Sequence, residues 1–364
     1  MTSFSTLALV LAESRSAIGR RQHDELQKRS PALVTMQDVA DRAGVSAKTV
    51  SRVFRNEQHV SDAVRQRVSE AMRELNFVPN MLARTFREGK ASVLGIAVPS
   101  IVDPFFAAII EAVDTFAKDH DHAIAVTSLG NDPAREQPIV EALLLRQISS
   151  LIIAPIAPDQ SYLMPWLSHK PIVFIDREPH GIEADVFLED DYGGADMAVG
   201  HLMELGHRRI AFLGADDAVA TTSRRLEGFK AAYQAADVPL DDSLILLAGP
   251  GLISEMLTRT LSGHAPPTAI FSSNSRTSIE IIPTLQQLGR TDLAMVGFGD
   301  FPMASALQPA VSVIDQNPSR LGRAAAERAV NRLGQSQATF ECRTVFEVNL
   351  IRRTSSRPVA SSQL

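Results

Sequence analysis

Four consecutive residues, Ala43-Gly44-Val45-Ser46, constrain the front of this chain more than any other feature. Ahead of them Val39, Ala40 and Ala43 fall at helical spacing, and beyond them Val50 and Val53 do so again. Gly44 tolerates positive φ and can end the first helix. Ser46 can accept from the backbone N–H groups that open the next. The stretch from Thr35 to Asn56 therefore predicts helix, tight turn, helix. Thr35, with Asp38 three residues on, predicts a cap, Asp being a weaker capping-box partner than Glu.

The second helix displays Ala47, Lys48, Thr49, Ser51, Arg52 and Arg55 outward and meets no acidic residue until Glu57. Cations can donate to guanine edges, and hydroxyls can donate to phosphates, so this face suits a major groove. An ordinary helical hairpin with a solvated basic face is the alternative reading.

Charge is divided along the chain. The whole carries −6, yet residues 33–92 hold ten Lys/Arg against seven Asp/Glu, and residues 1–32 five against three. Residues 93–364 hold 21 basic and 32 acidic residues, so the positive charge lies with the helix-turn-helix and the bulk is acidic. At 364 residues there is room for two or three cores, with 45% hydrophobic and 21% charged residues. No apolar run reaches the length of a membrane helix, and no basic segment precedes the apolar Thr6–Ala12, so a signal peptide is not expected. The single cysteine, Cys342, agrees with a reducing cytoplasm.

Taken in order, residues 1–32 lack any sustained period and read as a disordered extension before a headpiece at 33–78. Ser61 to Asn76 predicts a third helix, capped by Ser61, with Val64, Val68, Ala71, Met72 and Leu75 on one stripe, and Pro79 stops it. Residues 79–91 form a linker in which Asn80 to Glu88 could make one short helix, marginal by itself. From Ala91 the texture changes. Strands at Ser92–Pro99, Ala123–Ser128, Ser150–Ala154 and Pro171–Asp176 alternate with helices at Pro104–His120 and Pro133–Gln147. After Asp190 the pattern restarts, with helices at Tyr192–Leu205, Ser223–Ala236, Gly251–Leu261 and Arg276–Leu288. Its strands are Arg209–Leu213, Ser243–Leu247, Ala269–Ser272 and Leu293–Val296. Such alternation implies parallel sheets with helices on both faces, and two sets imply two lobes. The fold class expected is a small all-α headpiece plus an α/β core of two doubly wound lobes over 92–353, with 354–364 a flexible tail. Ligands bind at the carboxyl ends of strands in such sheets, so the crevice between the lobes is the expected site.

The run from Thr35 to Val53, then Glu70 to Asn80 and Ala83-Arg84, resembles the LacI/GalR family of bacterial transcriptional regulators, and the resemblance extends to about Arg353. It implies DNA contacts from Thr35, Ser46, Ala47, Lys48, Thr49, Ser51, Arg52, Asn56, Asn80, Ala83, Arg84 and Phe86. Ala47, Lys48 and Arg52 would read bases, Ala47 by apolar contact only, while Ser46, Thr49, Ser51 and Asn80 would hold phosphates. In the family the linker folds on the operator and wedges a leucine into the minor groove. Here that residue is Phe86, which could instead pack against the core domain. The resemblance also implies a periplasmic-binding-protein-like core that closes on a ligand by hinge motion.

For the ligand, the same resemblance points to Arg225, three residues before Gly228, to Asn274 and to Asp176. Arg225 could also be a surface ion pair, and Asp176 and its neighbour Arg177 could brace the lobes. Phe105 and Phe106 could stack on a sugar face or pack in the core. One departure stands out: the segment Gly297-Phe298-Gly299-Asp300 has glycine where the family usually carries aspartate, with Asp300 next. Losing that carboxylate while keeping Arg225 favours a sugar acid, with a neutral sugar close behind. There is no G-x-S-x-G, H-E-x-x-H or P-loop, and no catalytic constellation, so no enzyme and no cofactor is expected. The reading is a cytoplasmic homodimeric repressor of a pseudo-palindromic operator, responsive to a small sugar or sugar acid and without membrane association. A corepressor-dependent or activating regulator, a solute-binding protein and a sugar-metabolising enzyme are the rivals; the last two fit residues 33–90 poorly or lack catalytic groups.

Overall fold

Thr35 opens the first helix, α1 (Met36–Ala43), with a complete capping box: its hydroxyl accepts from the Asp38 N–H, and the Asp38 carboxylate accepts from the Thr35 N–H at 2.7 Å. Gly44 closes α1 in the left-handed region at φ 66°, as the tight turn requires. Ser46 then accepts from the Thr49 N–H at 3.1 Å and starts α2 (Ala47–Phe54). A third helix, α3 (Asp62–Glu74), follows Ser61, whose hydroxyl makes no capping bond, contrary to expectation; Asp62 puts negative charge in the first turn instead. Val39, Ala40, Ala43, Val50, Val53, Val68 and Ala71 form the buried core of this bundle.

The computed structural model describes residues 35–54, 60–75, 92–146, 148–216, 219–249, 251–334 and 342–359. The chain divides into two compact units, Met1–Arg87 and Glu88–Leu364. The expected extension 1–32 and linker 79–91 lie outside the described residues.

The second unit is built from two parallel sheets. The chain runs β1 (Val93–Val98), α4 (Pro104–Asp119), β2 (Ala123–Ser128), α5 (Glu136–Leu144), β3 (Ser150–Ile153), α6 (Met164–Leu167), β4 (Ile172–Ile175) and β5 (Asp185–Glu189). It continues through α7 (Asp191–Glu204), β6 (Ile210–Gly214), α8 (Ala220–Ala235), β7 (Ile245–Leu247), α9 (Ile253–Leu261), β8 (Ala269–Ser272), α10 (Ser275–Gln287), β9 (Ala294–Phe298) and β10 (Ser312–Asp315). It ends with α11 (Pro318–Gly334), β11 (Arg343–Phe346) and β12 (Asn349–Ile351). The first sheet has order β11-β5-β4-β3-β1-β2 and the second β12-β10-β9-β8-β6-β7. Only the β10–β12 pairing is antiparallel among the described strands. Because α7 packs on the second sheet and α11 on the first, the chain passes between the lobes three times, at 189–191, 315–318 and 346–349.

Each lobe has one helix pair in close approach, and a glycine permits it. A Cβ on Gly322 of α11 would lie 2.6 Å from the Ile109 carbonyl of α4, and one on Gly228 of α8 would lie 2.2 Å from the Tyr192 carbonyl of α7. Leu94, Ile96, Ile109, Val113 and Leu321 lie in the first core, and Phe212, Phe229, Phe271 and Phe298 in the second.

Residues 354–359, expected as part of a flexible tail, are instead held on the second lobe. The Ser355 hydroxyl accepts from the Ser312 N–H at 2.8 Å and donates to the Met295 carbonyl at 2.6 Å. The Val359 N–H donates to the Leu205 carbonyl at 3.0 Å. His207 bridges Thr268 Oγ1 and the Arg357 carbonyl, each at 2.9 Å. These partners sit far back in the sequence, which is why a Ser-rich end gives no local hint of order.

Candidate functional site

Residues 48, 51 and 52 project from one side of α2, since i, i+3 and i+4 share a helix face, while Val50 and Val53 turn inward to the core. Lys48 and Arg52 are exposed, Ser51 half-buried, and the first turn of α2 contains no acidic residue. Ser46 is exposed and Thr49 half-buried, their hydroxyls 2.9 Å apart at the amino end of the helix. Ala47 packs partly against the core cluster and Thr35 is engaged in its capping box. Asn56, Asn80, Ala83, Arg84 and Phe86 lie outside the described residues. The described part is a cationic helix face flanked by hydroxyls.

The second constellation gathers where strands of both lobes end. Asp176 follows β4 with φ 67°, is buried, and has Arg177 Nε 3.2 Å from its Oδ2; Arg177 also donates to the Pro155 carbonyl at 3.0 Å. From the other lobe, Arg225 of α8 is 5% exposed. Its Nε and Nη2 both reach Asp191 Oδ1 at 2.7 Å, its Nη1 donates to the Ser273 carbonyl at 2.6 Å, and its guanidinium carbon lies 3.9 Å from the Phe298 ring centroid. Asn274 caps α10, its Oδ1 accepting from the Thr277 N–H at 2.8 Å, which leaves chiefly its amide nitrogen for a ligand. Phe105 and Phe106 are buried edge-to-face in the first core, with centroids 5.1 Å apart.

Four further groups complete the site, and sequence reading did not single them out. Asp103, the cap of α4, accepts from the Phe105 N–H at 3.0 Å. Burial pushes its carboxyl up, while Arg276 and Arg225 pull it down and Asp176 pushes it further up, so these side chains share one electrostatic neighbourhood across the lobes. Glu189, at the first crossing, is buried and accepts from Gln316 Nε2 at 2.8 Å at the second crossing. Its other oxygen, Oε1, has no hydrogen-bond partner. Burial, then Asp176 and Asp191, hold Glu189 well above the usual carboxylate range. Asp191 is pushed up to about 6, chiefly by burial, with Arg225 opposing and Asp176 adding. An Asp before Pro at a strand end is a local signal for Asp103; nothing local signals the pairing of Asp191 with Arg225.

Two expectations about the ligand change. Asp300, expected in the cleft, is bound at both oxygens by Arg353, at 3.0 and 2.5 Å, and also accepts from the Phe301 N–H. Arg225, expected as the cation that a sugar acid would meet, is paired with Asp191. Gly299 is explained locally: φ is 84°, and a Cβ there would lie 2.8 Å from Gln316 Oε1.

Fold and site together define a helix-turn-helix DNA-binding module followed by a periplasmic-binding-protein-like receptor. Residues 35–80 match the model of bacterial regulatory proteins of the lacI family, and residues 199–356 that of a periplasmic binding protein-like domain. The chain is 27% identical to the transcriptional repressor PurR of Mannheimia succiniciproducens, over 88% of this chain and 98% of that one. It is 26% identical to the ribose operon repressor of Escherichia coli K12, over 83% and 94%. Among solved structures it is similar to the lac repressor dimer bound to operator and the anti-inducer ONPF, with TM-score 0.74, 25% identity, and 90% and 100% of the two chains covered. The chain thus joins a DNA-binding headpiece of the lacI family to a periplasmic-binding-protein-like domain, and it is similar over most of its length to the transcriptional repressors just named. Among the described residues no helix is long and apolar enough to cross a membrane.

Proposed function

We propose that the protein is a cytoplasmic homodimer that represses transcription from a pseudo-palindromic operator and releases it when a neutral sugar or related polyol occupies the cleft. Two headpieces would place α2 in adjacent major-groove half-sites. Lys48 and Arg52 read bases, Ala47 adds apolar contact, and Ser46, Thr49 and Ser51 hold phosphates. The observation that carries the DNA-binding part is the exposed cationic face of α2 with its acid-free first turn. The ligand class is supported by the pairing of Arg225 with Asp191, which leaves that guanidinium no uncompensated charge to offer an anion. Asp176, Arg177, Arg225 and Asn274 supply the polar contacts. An effector that binds one arrangement of the lobes better than the other shifts the population and hence operator affinity.

Binding-site selection on genomic DNA followed by gel shift tests this. Affinity for the selected duplex should fall steeply between about 50 and 200 mM salt, and a neutral sugar should release the duplex. Sequence preference that is absent with and without sugars, at every salt concentration, would sink the proposal.

A further inference from the structure

Arg225 enters the cleft with its donors already engaged. Two of its nitrogens meet one oxygen of Asp191, a third meets the Ser273 carbonyl, and one face covers Phe298. Arginine keeps its proton in proteins, so its charge is fixed and only the identity of its partner can vary. Asp191 is the first residue of α7, immediately past the first crossing between lobes. We propose that Asp191 is the specificity-determining residue of the cleft: an internal carboxylate seated where an acidic ligand would otherwise bind Arg225. While ionised it restricts the site to uncharged effectors, and when neutral it admits an anion. This rests on the reading of Arg225 as an effector contact.

The electrostatics support the assignment. Facing Asp191 are Arg225 from α8, Asp176 from the end of β4, and Asp190 and Glu189 from the crossing, so one cation stands against three further carboxyl groups. A second anion about 4 Å from an ionised Asp191 would lose on the order of a thousandfold in affinity by repulsion alone. Burial, the largest influence, moves Asp191 up to about 6, which puts its neutralisation within reach of mildly acidic buffer.

Sulfate is a suitable probe because it needs no knowledge of the natural effector. Thermal unfolding of the full chain would be compared in sulfate and in chloride of matched ionic strength, at about pH 7.5 and about pH 5. Wild type at the higher pH should show no sulfate-specific shift attributable to Arg225, whereas Asp191→Asn should gain roughly 3–6 °C. At the lower pH wild type should acquire the same gain, and Arg225→Gln should not. Sulfate held by the basic headpiece moves every variant alike and cancels in these comparisons. Equal sulfate response of wild type and Arg225→Gln at both pH values overturns the proposal, as does a folded Asp191→Asn that gains nothing. If Asp191→Asn fails to fold, the wild-type and Arg225→Gln series at two pH values decide alone. Release of DNA by neutral sugars is read in a separate assay, so its failure would strike the proposed function rather than this gate.

Discussion

The headpiece and the cleft use the same residue type in opposite ways. Lys48 and Arg52 are exposed on α2, while Arg225 is 5% exposed and bound by Asp191 and Ser273. Exposed cations act on a polyanion through counterion release, so their effect is salt-sensitive and nearly independent of folding. Buried cations have exchanged water for fixed partners, so their effect depends on pH and is inseparable from stability. One unit can therefore vary its exposed groups at small structural cost, whereas the other holds its cleft groups already positioned.

That contrast can be broken or sharpened by substitution. The largest effect should come from Arg225→Gln, which leaves Asp191 buried without its cation: about 3–5 kcal/mol of stability lost, with the effector response abolished and operator binding by the headpiece retained. Calorimetric unfolding alongside gel shift reads both, and unchanged stability would mean that the cleft arginine behaves like a surface one. Next, Arg52→Ala should cost about 1–3 kcal/mol in operator binding, concentrated at one base pair. Competition with singly mutated operators measures this; equal loss on all duplexes would make Arg52 a phosphate contact. Gly299→Ala should destabilise by roughly 1–2 kcal/mol, because φ is 84° and the new methyl group presses on Gln316, which Glu189 holds. Urea titration would show whether that segment tolerates a side chain after all.

The smallest effect concerns Glu189. Its folded pKa is raised by burial first and by Asp176 and Asp191 next, so the folded state holds a proton that the unfolded chain releases. That contribution favours the folded state at low pH and is lost as pH rises through the folded value. Glu189→Gln, neutral at every pH, should raise the unfolding temperature by about 2–4 °C at pH 8, the advantage closing toward pH 5. A constant difference across that range would show that Glu189 is not the titrating group.

Local patterns made much of this architecture legible. Gly44 between two apolar sets, and the short valine- and isoleucine-rich runs of β1, β3 and β4, report their structure within a few residues. Part of what escaped is held by distant partners. Strand β5 begins and ends in acid, at Asp185 and Glu189, and reads as loop; it is buried because Arg332 of α11 donates to Asp185 at 2.8 Å from 147 residues away. Strand β11, at a sheet edge with alternating exposure, carries too little apolar signal. The cleft divides the same way: Arg225 and Asn274 are marked by their neighbours in sequence, whereas Asp191 and Gln316 acquire meaning only through what they touch.

The threefold passage of the chain between the lobes has a mechanical consequence. Two bodies tied at one point can swivel freely, but ties at 189–191, 315–318 and 346–349 leave chiefly a single rocking coordinate. Lengthening one tie by a glycine would let the lobes twist out of that path, so a sugar could still dock while its arrival went unannounced.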